Sequence, residues 1–273
     1  MNLTKFLPLS YLSWFLGALA RLPLPQPLAR LTIMIFARAY KIDVSQATKP
    51  LNHYRSIGDF FIRDLKPELR PIEGPIVSPV DARVRNAQRT PSDGVLPQVK
   101  EKTYTLQALL GNSQLAEEFS KGYFWNFYLS PSDAHHIYAP VSGQIVQTIH
   151  IPGKLWPVND WALESVDELF AVNERVVSII DSEYGKFAVV MVGATNVGRI
   201  SLSYHPLITN QYPWIKKSLS SIVHDKPTQI GCGQKLGTFN MGSSVVVLSE
   251  RTFEDIRGLS EGASVCYGQT LVG

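Results

Sequence analysis

The stretch Phe239-Asn240-Met241-Gly242-Ser243-Ser244-Val245-Val246 places a Gly-Ser pair at the entrance to an apolar, β-branched run. Such a run is typical of a core strand, and a Gly-Ser pair before it is ordinarily a bulge or a tight bend. The pair also permits self-cleavage, because a serine hydroxyl can attack the carbonyl of the preceding residue and convert the amide to an ester. A preceding glycine helps, since it lacks a Cβ and tolerates a strained backbone. The hydroxyl needs a neighbouring base to act as a nucleophile.

Outward from this stretch, short β-branched runs separated by Gly, Pro and Asn fill the chain from Ile76 onward and predict a β-rich body. The predicted strands are Gly143–Ile149, Arg175–Ile180, Phe187–Val192, Arg199–Ser203 and Ser244–Leu248. One helix is predicted across Thr105–Ser120, whose leucines keep a partly helical spacing. Ser56 and Asp59 form a capping-box-like start to another helix that runs through Ile62.

The front of the chain, residues 1–45, is apolar and predicted to be helical. Phe6 to Ala20 carries no charge, but the run is interrupted by Pro8 and is shorter than the ~20 residues that a spanning helix needs. The ending Ala18-Leu19-Ala20 resembles a signal-peptidase site, so an export signal is one alternative.

A second apolar segment follows the prolines at positions 23, 25 and 27. Its residues Leu28, Leu31, Met34 and Ile35 fall near one face of a helix, with basic residues elsewhere. Two short apolar helices with basic edges favour an in-plane membrane anchor. An ordinary core-packing helical pair has the same pattern and stays open as the alternative. We therefore predict an α+β fold with short N-terminal membrane-associating helices and a β-rich catalytic body.

The composition narrows the function classes. The chain has 273 residues and a net charge of +3, an excess that suits an anionic membrane surface but is too small to indicate nucleic-acid binding. Its two cysteines, Cys232 and Cys266, lie far apart and form neither a disulfide framework nor a zinc spacing, which favours a reducing compartment.

Two further stretches carry groups suited to acid–base chemistry. The adjacent His135 and His136 would point to opposite faces of an extended segment, so we predict no shared metal. Either one is suited to act as an acid or base, and the alternative is a surface or half-buried pair. Asp81 follows a proline and is either a turn residue or the carboxylate that orients a base. The spacing leaves open whether these stretches meet.

Together these stretches resemble bacterial (prokaryotic type I) phosphatidylserine decarboxylase, from about Tyr11 to Gly268. The resemblance extends to four further strings: Tyr54-Arg55-Ser56-Ile57-Gly58-Asp59-Phe60-Phe61-Ile62-Arg63, Arg70-Pro71-Ile72, Asn173-Glu174-Arg175-Val176 and Val192-Gly193-Ala194-Thr195-Asn196-Val197-Gly198. It implies a zymogen of phospholipid biosynthesis whose catalytic domain, residues 46–273, cuts itself at Gly242-Ser243. The products would be a β chain, residues 1–242, and an α chain, residues 243–273.

The resemblance also implies a role for each aligned residue. Ser243 would cut the chain and become a pyruvoyl group, the only cofactor, which forms a Schiff base with phosphatidylserine during its decarboxylation to phosphatidylethanolamine. Asp81 falls on the acid of the self-cleavage triad. His135, with Asp133 before it, falls on the first histidine of the family's Asp-x-His-x-x-His pattern, which is associated with decarboxylation. No metal is implied.

The implied partners are phosphatidylserine, a membrane lipid surface, and the α and β chains themselves, which would form a heterodimer that dimerises further. The expected location is peripheral, on the cytoplasmic side of the cell membrane. No nucleic-acid partner is expected.

The sequence departs from the family pattern at Tyr138, which replaces the second histidine, the expected base of the cleavage triad. A neutral tyrosine with a pKa near 10 is a poor general base. His135 or His136 could serve instead, Tyr138 could act through a water or an altered pKa, or cleavage could be slow or absent. We favour His135, which keeps its aligned position.

Two rival functions follow from the same residues. An inactive membrane-bound homologue would keep Ser243 uncut because Tyr138 replaced the base. A serine hydrolase would use Ser243 with His135 and Asp81, but the sequence lacks the G-x-S-x-G elbow of such enzymes.

Overall fold

The computed structural model describes residues 9–195, 199–211, 214–215, 217–240 and 243–272. The helices in these ranges are α1 Leu9–Ala20, α2 Gln26–Ala39, α3 Ile57–Phe61, α4 Leu106–Leu110, α5 Ser113–Glu118, α6 Asp160–Ser165 and α7 Leu169–Val172. The strands are β1 Ile76–Val77, β2 Ala82–Arg89, β3 Val95–Val99, β4 Lys102–Thr105, β5 Tyr123–Leu129, β6 His136–Tyr138, β7 Gly143–Ile151, β8 Arg175–Ser182, β9 Gly185–Gly193, β10 Ile200–Leu202, β11 Ser220–Ile230, β12 Lys235–Phe239, β13 Ser243–Ser249, β14 Ser264–Val265 and β15 Thr270–Val272.

An antiparallel sheet of eight strands forms the centre of the molecule, in the order β11-β7-β8-β9-β13-β5-β2-β14. Strand β13 is buried over its whole length and pairs with β9 on one side and β5 on the other. The α+β class predicted from the sequence is confirmed, and each of the five predicted strands is present with ends that differ by at most two residues.

Both faces of the large sheet are covered, which explains why its central strand is a continuous apolar run. Alternate residues of a strand point to opposite faces. Val245 and Val247 accordingly belong to one core, shared with Ile137 of β6 and Leu236 of β12. Val246 and Leu248 belong to a second core, formed with residues of α4 to α7: Leu106, Leu109, Leu110, Leu115, Leu163, Leu169 and Phe170.

The first core is covered by a three-stranded sheet of order β10-β12-β6 and by the pair β1-β15. The small sheet brings the His135–Tyr138 segment onto the face of the large sheet toward which Val245 and Val247 point. Ser243 has the same parity in β13 as these two valines, so its side chain points to that face.

The single helix predicted across Thr105–Ser120 is wrong, because two short helices, α4 and α5, occupy this region. Gly111 ends α4 in the left-handed conformation with φ of 65°, which glycine adopts without strain. Asn112 then caps α5 by accepting a hydrogen bond from the Leu115 N–H. The leucine spacing was only partly helical because it spans two helices.

Arg175 holds this helical layer against the sheet. It is 2% exposed, and its guanidinium donates hydrogen bonds to the carbonyls of Leu109, Asn173, Ala108 and Ala171. Two of these carbonyls lie in the last turn of α4, where carbonyl groups lack intrahelical partners and a cation is favourable. Arg175, the arginine of the Asn-Glu-Arg string, therefore stabilises the packing of the helices on the sheet.

The N-terminal helices pack on the body through one face of α2. Its Ile33 and Ala37 form a small core with Tyr54 and with Phe60 of α3. The predicted cap at Ser56 is present, since its side chain accepts from the Asp59 N–H, and α3 ends one residue before the predicted Ile62. No described helix is both long and apolar enough to cross a bilayer.

The opposite face of α2 is solvent-exposed and apolar. Leu28, Leu31 and Ile35 are about half exposed, as are Phe15 and Leu19 of α1. The residues that the sequence grouped on one face of α2 thus point away from the protein, apart from the partly buried Met34. Core packing of this helix uses Ile33 and Ala37 instead.

Candidate functional site

Ser243 is the first residue of the central strand and is fully buried. In register it lies between Leu129 of β5 and Gly193 of β9. Its Oγ is buried and has no hydrogen-bond partner among the described residues. Ser243 also lines a cavity of about 180 Å³, together with Tyr128, Leu129, Pro131, Pro157, Val158, Asn159, Ala194 and Thr195. A buried hydroxyl without a partner is costly unless the site uses it, so this residue is a candidate for chemistry.

The segment before Ser243 is anchored at its upstream end. The Phe239 N–H donates to the His135 carbonyl at 2.9 Å. The Asn240 N–H and its side-chain Nδ2 both donate to the Arg199 carbonyl, at 3.1 and 3.0 Å. Gly242, the other residue of the expected cleavage site, lies outside the described residues together with Met241. The described ends of this short segment thus lie at the backbone of His135 and at the start of β13.

His135 is buried completely, and its two ring nitrogens differ in their surroundings. Its Nδ1 lies 2.9 Å from the Asp133 carbonyl oxygen. A carbonyl oxygen only accepts, so Nδ1 carries the proton and Nε2 has the lone pair. That Nε2 is buried without a partner in the described part of the chain. Burial lowers the pKa of His135 to about 3, which keeps the ring neutral at physiological pH.

His136 differs from His135 because both of its ring nitrogens lie near polar groups. Its Nδ1 lies 2.9 Å from Thr238 Oγ1, and its Nε2 lies 3.2 Å from Asp64 Oδ1. Asp64 in turn pairs with Lys235 at 2.6 Å. Burial lowers the pKa of His136 to about 4. Because the two histidines have separate partners, they do not form a joint site.

Tyr138, at the position of the expected triad histidine, is buried and stacks on Tyr267 with the ring centroids 3.9 Å apart. Burial raises the pKa of its hydroxyl, and the neighbouring Tyr267 raises it further. The environment therefore keeps the Tyr138 hydroxyl protonated to a higher pH than that of a free tyrosine. This argues against the alternative in which Tyr138 acts as a base through a lowered pKa.

Asp81 is paired with an arginine rather than with a histidine. Arg70 donates to both carboxylate oxygens, with Nη2 2.7 Å from Oδ2 and Nε 2.9 Å from Oδ1. The Tyr267 N–H donates to Oδ1 at 2.8 Å. Tyr138 packs on this cluster through Tyr267 and donates its own N–H to the Pro79 carbonyl at 2.9 Å. Tyr138, at the position of the expected triad histidine, therefore lies near Asp81, although a tyrosine there is a poor base.

Asp133 and Arg63 lie around a second cavity, of about 200 Å³. The Asp133 Oδ2 accepts from the Ser130 N–H at 2.7 Å and from its hydroxyl at 2.8 Å, and burial raises the pKa of this carboxyl. The loop of residues 131–134 separates the two cavities, because Pro131 lines the first while the next three residues line the second.

The structure therefore brings Asp81 and Asp133 to one cavity and Ser243 to the other, with His135 directly after the separating loop. Within the described ranges, no hydrogen bond joins Ser243 to His135 or Asp81, and no group of three His, Cys, Asp or Glu is placed to hold a metal ion.

Three residues of this region were not singled out by sequence reasoning. Arg63 and Arg70 lay within strings of the family resemblance, but an arginine there has no chemical signature by itself. Tyr267 had no sequence signal, since its contact with Asp81 joins residues that are far apart in the chain.

Comparison with known proteins gives consistent matches. The family model described as phosphatidylserine decarboxylase matches residues 57–273. A protein from Myxococcus xanthus named phosphatidylserine decarboxylase proenzyme is 40% identical over 280 residues, which cover 99% of this chain and 96% of that relative. Proteins of the same name from Brevibacillus brevis and Coxiella burnetii are 39% and 35% identical, covering 90% and 99% of this chain and 88% and 96% of their own lengths.

The two buried histidines predict a loss of stability in mild acid. In the unfolded chain a histidine takes up a proton below a pH of about 6.5, whereas burial keeps His135 and His136 neutral until about pH 3 and pH 4. The unfolded state therefore binds more protons in this window, and the free energy of unfolding falls as the pH falls. Urea midpoints of the Ser243→Ala protein, measured at about pH 7 and pH 5, should show this decrease.

Replacing both His135 and His136 by Gln should make the urea midpoint less dependent on pH. His53→Gln, at an exposed histidine, is the matched control and should leave the dependence unchanged. An equally steep dependence in the double variant would show that the two histidines do not cause it.

Proposed function

The chain belongs to the phosphatidylserine decarboxylase family, and we propose that it becomes active by cutting its own backbone between Gly242 and Ser243. As a member of this family the protein is an enzyme, a carboxy-lyase. The word proenzyme in the names of its relatives describes a precursor that requires processing. The observation that carries the proposal is the Ser243 hydroxyl at the first residue of the central strand, which is buried and has no partner among the described residues.

The Ser243 hydroxyl would attack the carbonyl of Gly242, which moves the acyl group from nitrogen to oxygen and leaves a free amine on residue 243. Loss of the Cα proton with rupture of the Cβ–O bond then releases the carboxylate of Gly242. Hydrolysis of the resulting enamine gives ammonia and leaves a pyruvoyl group at the new terminus. The sequence of steps balances with one water molecule and needs no external oxidant.

His135 is the base that we assign to the first step. Its Nε2 has a lone pair and no partner among the described residues, and its Nδ1 proton is fixed on the Asp133 carbonyl. Its burial keeps the ring neutral, which leaves the Nε2 lone pair unprotonated at physiological pH. The Phe239 N–H bond to the His135 carbonyl ties the start of the cleavage segment to this residue. Tyr138 lacks these properties because burial raises its pKa.

The surroundings of residue 243 fit the pyruvoyl group that would form there and the substrate that would react with it. The cavity of about 180 Å³ beside it offers room for the serine part of a headgroup, and the residues that line it carry no charged side chain. A pyruvoyl group supplies a carbonyl that condenses with the substrate amine and accepts the electron pair released with CO2. His135, close to the cleavage segment, would take up at Nε2 a proton that the substrate ammonium loses on condensation, and would return it to the substrate carbon.

The α chain, residues 243–273, would stay bound after cleavage without a covalent link. Its strand β13 pairs along all seven residues with β9 and β5, and β14 and β15 pair with β2 and β1. Asp81 adds a polar link, because its carboxylate accepts the Tyr267 N–H. We therefore assign Asp81 a positioning role, holding the α chain to the β chain beside Tyr138.

The exposed apolar faces of α1 and α2 support binding to the lipid surface. Trp14 of α1 contacts Trp214 edge-to-face at 5.5 Å, and Trp214, Ile215 and Leu219 are themselves more than half exposed. The apolar surface therefore continues from the helices onto the body. Such a surface suits an enzyme whose diacyl substrate stays in the bilayer, since each CH2 exposed to water costs about 0.8 kcal/mol.

The helices also lie close to the cleavage segment. Burial and then the charge of Arg199 lower the pKa of Arg21, at the end of α1. Arg199 is the residue whose carbonyl holds Asn240. A lipid-bound α1 would thus place the active site next to the headgroups.

Single substitutions test the assignment of the base. Ser243→Ala and His135→Ala should each leave one unbroken chain on a denaturing gel and release no CO2 from carboxyl-labelled phosphatidylserine. Tyr138→Phe, which removes only the hydroxyl, and His136→Ala should still be cleaved, with a rate within about tenfold of the parent, since general-base catalysis contributes roughly a hundredfold or more. Cleavage in His135→Ala together with its loss in Tyr138→Phe would overturn the assignment.

Polar substitutions on α2 test the lipid contact. Replacing Leu28, Leu31 and Ile35 together by Gln removes apolar surface from the outward face but spares Ile33 and Ala37 in the core. Sedimentation with anionic vesicles should fall more than about tenfold, since a fully buried leucine is worth about 1.5–3 kcal/mol, while cleavage of the chain continues.

Leu69→Gln is the control for a polar change at an exposed leucine outside these helices and should sediment like the parent. If the triple variant sediments as well as the parent, the outward face of α2 does not bind lipid.

A further inference from the structure

We propose that Arg63 is the phosphate-binding residue of the active site, and that the cavity around it takes up the phosphodiester of the lipid headgroup. The inference rests on the proposed function for the identity of the lipid, but the anion site itself is argued from the residues around Arg63. It assigns a binding role to a side chain that the cleavage chemistry does not use.

Arg63 is a buried cation with unused donors. It is 4% exposed, and its Nη2 donates to the Ser132 carbonyl at 2.6 Å. Its Nε and Nη1 are buried and have no hydrogen-bond partner among the described residues. Its Cζ lies 5.1 Å from the centre of the Phe60 ring, a contact that offsets part of the cost of burial but gives neither N–H group an acceptor oxygen. These two donors are therefore suited to an anionic ligand.

The nearby carboxylates do not supply that acceptor. Asp81 is engaged by Arg70 and by the Tyr267 N–H. Asp133 accepts two hydrogen bonds from Ser130. Neither forms an ion pair with Arg63 in the described part of the chain. The guanidinium therefore remains available to an anionic ligand.

The cavity lies between the end of α2 and the loop of residues 131–134. Its volume is about 200 Å³, and Arg63 is part of its lining. At one side the lining includes Lys41 and Ile42, directly after the end of α2. At the other side it includes Ala134, the residue before His135. A headgroup whose acyl chains lie along α2 would thus enter past Lys41 and reach Arg63.

The chemistry of the reaction favours the phosphodiester over the carboxylate as the bound group. The carboxylate departs as CO2, so a cation held against it would stabilise the ground state and oppose the reaction. The phosphodiester is unchanged from substrate to product and is separated from the amine by only two carbons. A residue that binds it must therefore lie close to the reacting centre. Arg63 meets this requirement, because its Nη2 contacts the Ser132 carbonyl and the adjoining Pro131 lines the cavity of Ser243.

Water-soluble fragments of the headgroup test the proposal by titration calorimetry. Glycerophosphoethanolamine has the phosphodiester but no carboxylate, and free serine has the carboxylate but no phosphate. Arg63→Gln should weaken binding of glycerophosphoethanolamine at least about tenfold, the effect of losing a charge-assisted hydrogen bond, and should leave serine binding unchanged. Arg257→Gln, at an exposed arginine outside the cavity, should bind both fragments like the parent.

Unchanged affinity for glycerophosphoethanolamine in Arg63→Gln would show that Arg63 only supports the Ser132 carbonyl. A loss confined to serine would assign it to the carboxylate instead. If Arg63→Gln does not fold, Lys41→Asn decides: Lys41 is exposed with φ of 55°, a conformation that asparagine tolerates. This variant should bind glycerophosphoethanolamine about threefold more weakly, in keeping with an exposed charge pair, and parental affinity would overturn the proposal.

The calorimetry also separates this proposal from the proposed function. A parent protein that binds glycerophosphoethanolamine through Arg63 but neither cleaves itself nor releases CO2 would retain the anion site and lose the enzymatic account. A parent that cleaves itself and releases CO2, but whose affinity for glycerophosphoethanolamine does not depend on Arg63, would retain the enzymatic account and lose the anion site.

Discussion

The structure depends on strand β13, which is buried on both faces although its first residue, Ser243, is polar. Its valines belong to two cores, one beneath the small sheet of β6 and β12 and one beneath the helices α4 to α7. Its backbone pairs with β9 and β5 along all seven residues. This double burial fixes Ser243 in a buried position, where a hydroxyl without a partner among the described residues costs free energy. The same pairing explains how the α chain could remain attached after a cut at its first residue.

The loop between β5 and β6 separates two cavities near this strand, and we propose a different role for each. On one side lies the cavity of Ser243, and on the other lies the polar cavity with Arg63, Asp81 and Asp133. His135 follows the loop directly and presents a neutral imidazole. The substitution at Tyr138 therefore does not by itself imply an inactive protein, because the proposed base, three residues earlier, has a lone pair with no partner in the described part of the chain. Tyr138 instead stacks on Tyr267 and completes the cluster that joins Asp81 to the α chain.

The sequence predicted the strands well because each is a short β-branched run bounded by turn residues, and the fold class followed from them. It failed at Thr105–Ser120, where Gly111 in a left-handed conformation splits one leucine pattern into two helices. The outward face of α2 was identified from the periodicity of its apolar residues. That periodicity could not show whether the face contacts lipid or packs in the protein core. The roles of Ser243, His135 and Asp81 came from the family resemblance and remain predictions. The contacts of Arg70 and Tyr267 with Asp81 were beyond sequence reasoning, because they join segments that are distant in the chain and depend on the sheet order.

The intact mass of the purified, denatured protein tests the central claim most directly. The account predicts two polypeptides, residues 1–242 and 243–273, with the smaller one lighter by one ammonia than a peptide that begins with serine. That smaller chain should also react with hydroxylamine, as a terminal keto group does. A single chain of 273 residues, or a smaller piece that begins with an ordinary serine, would contradict the account.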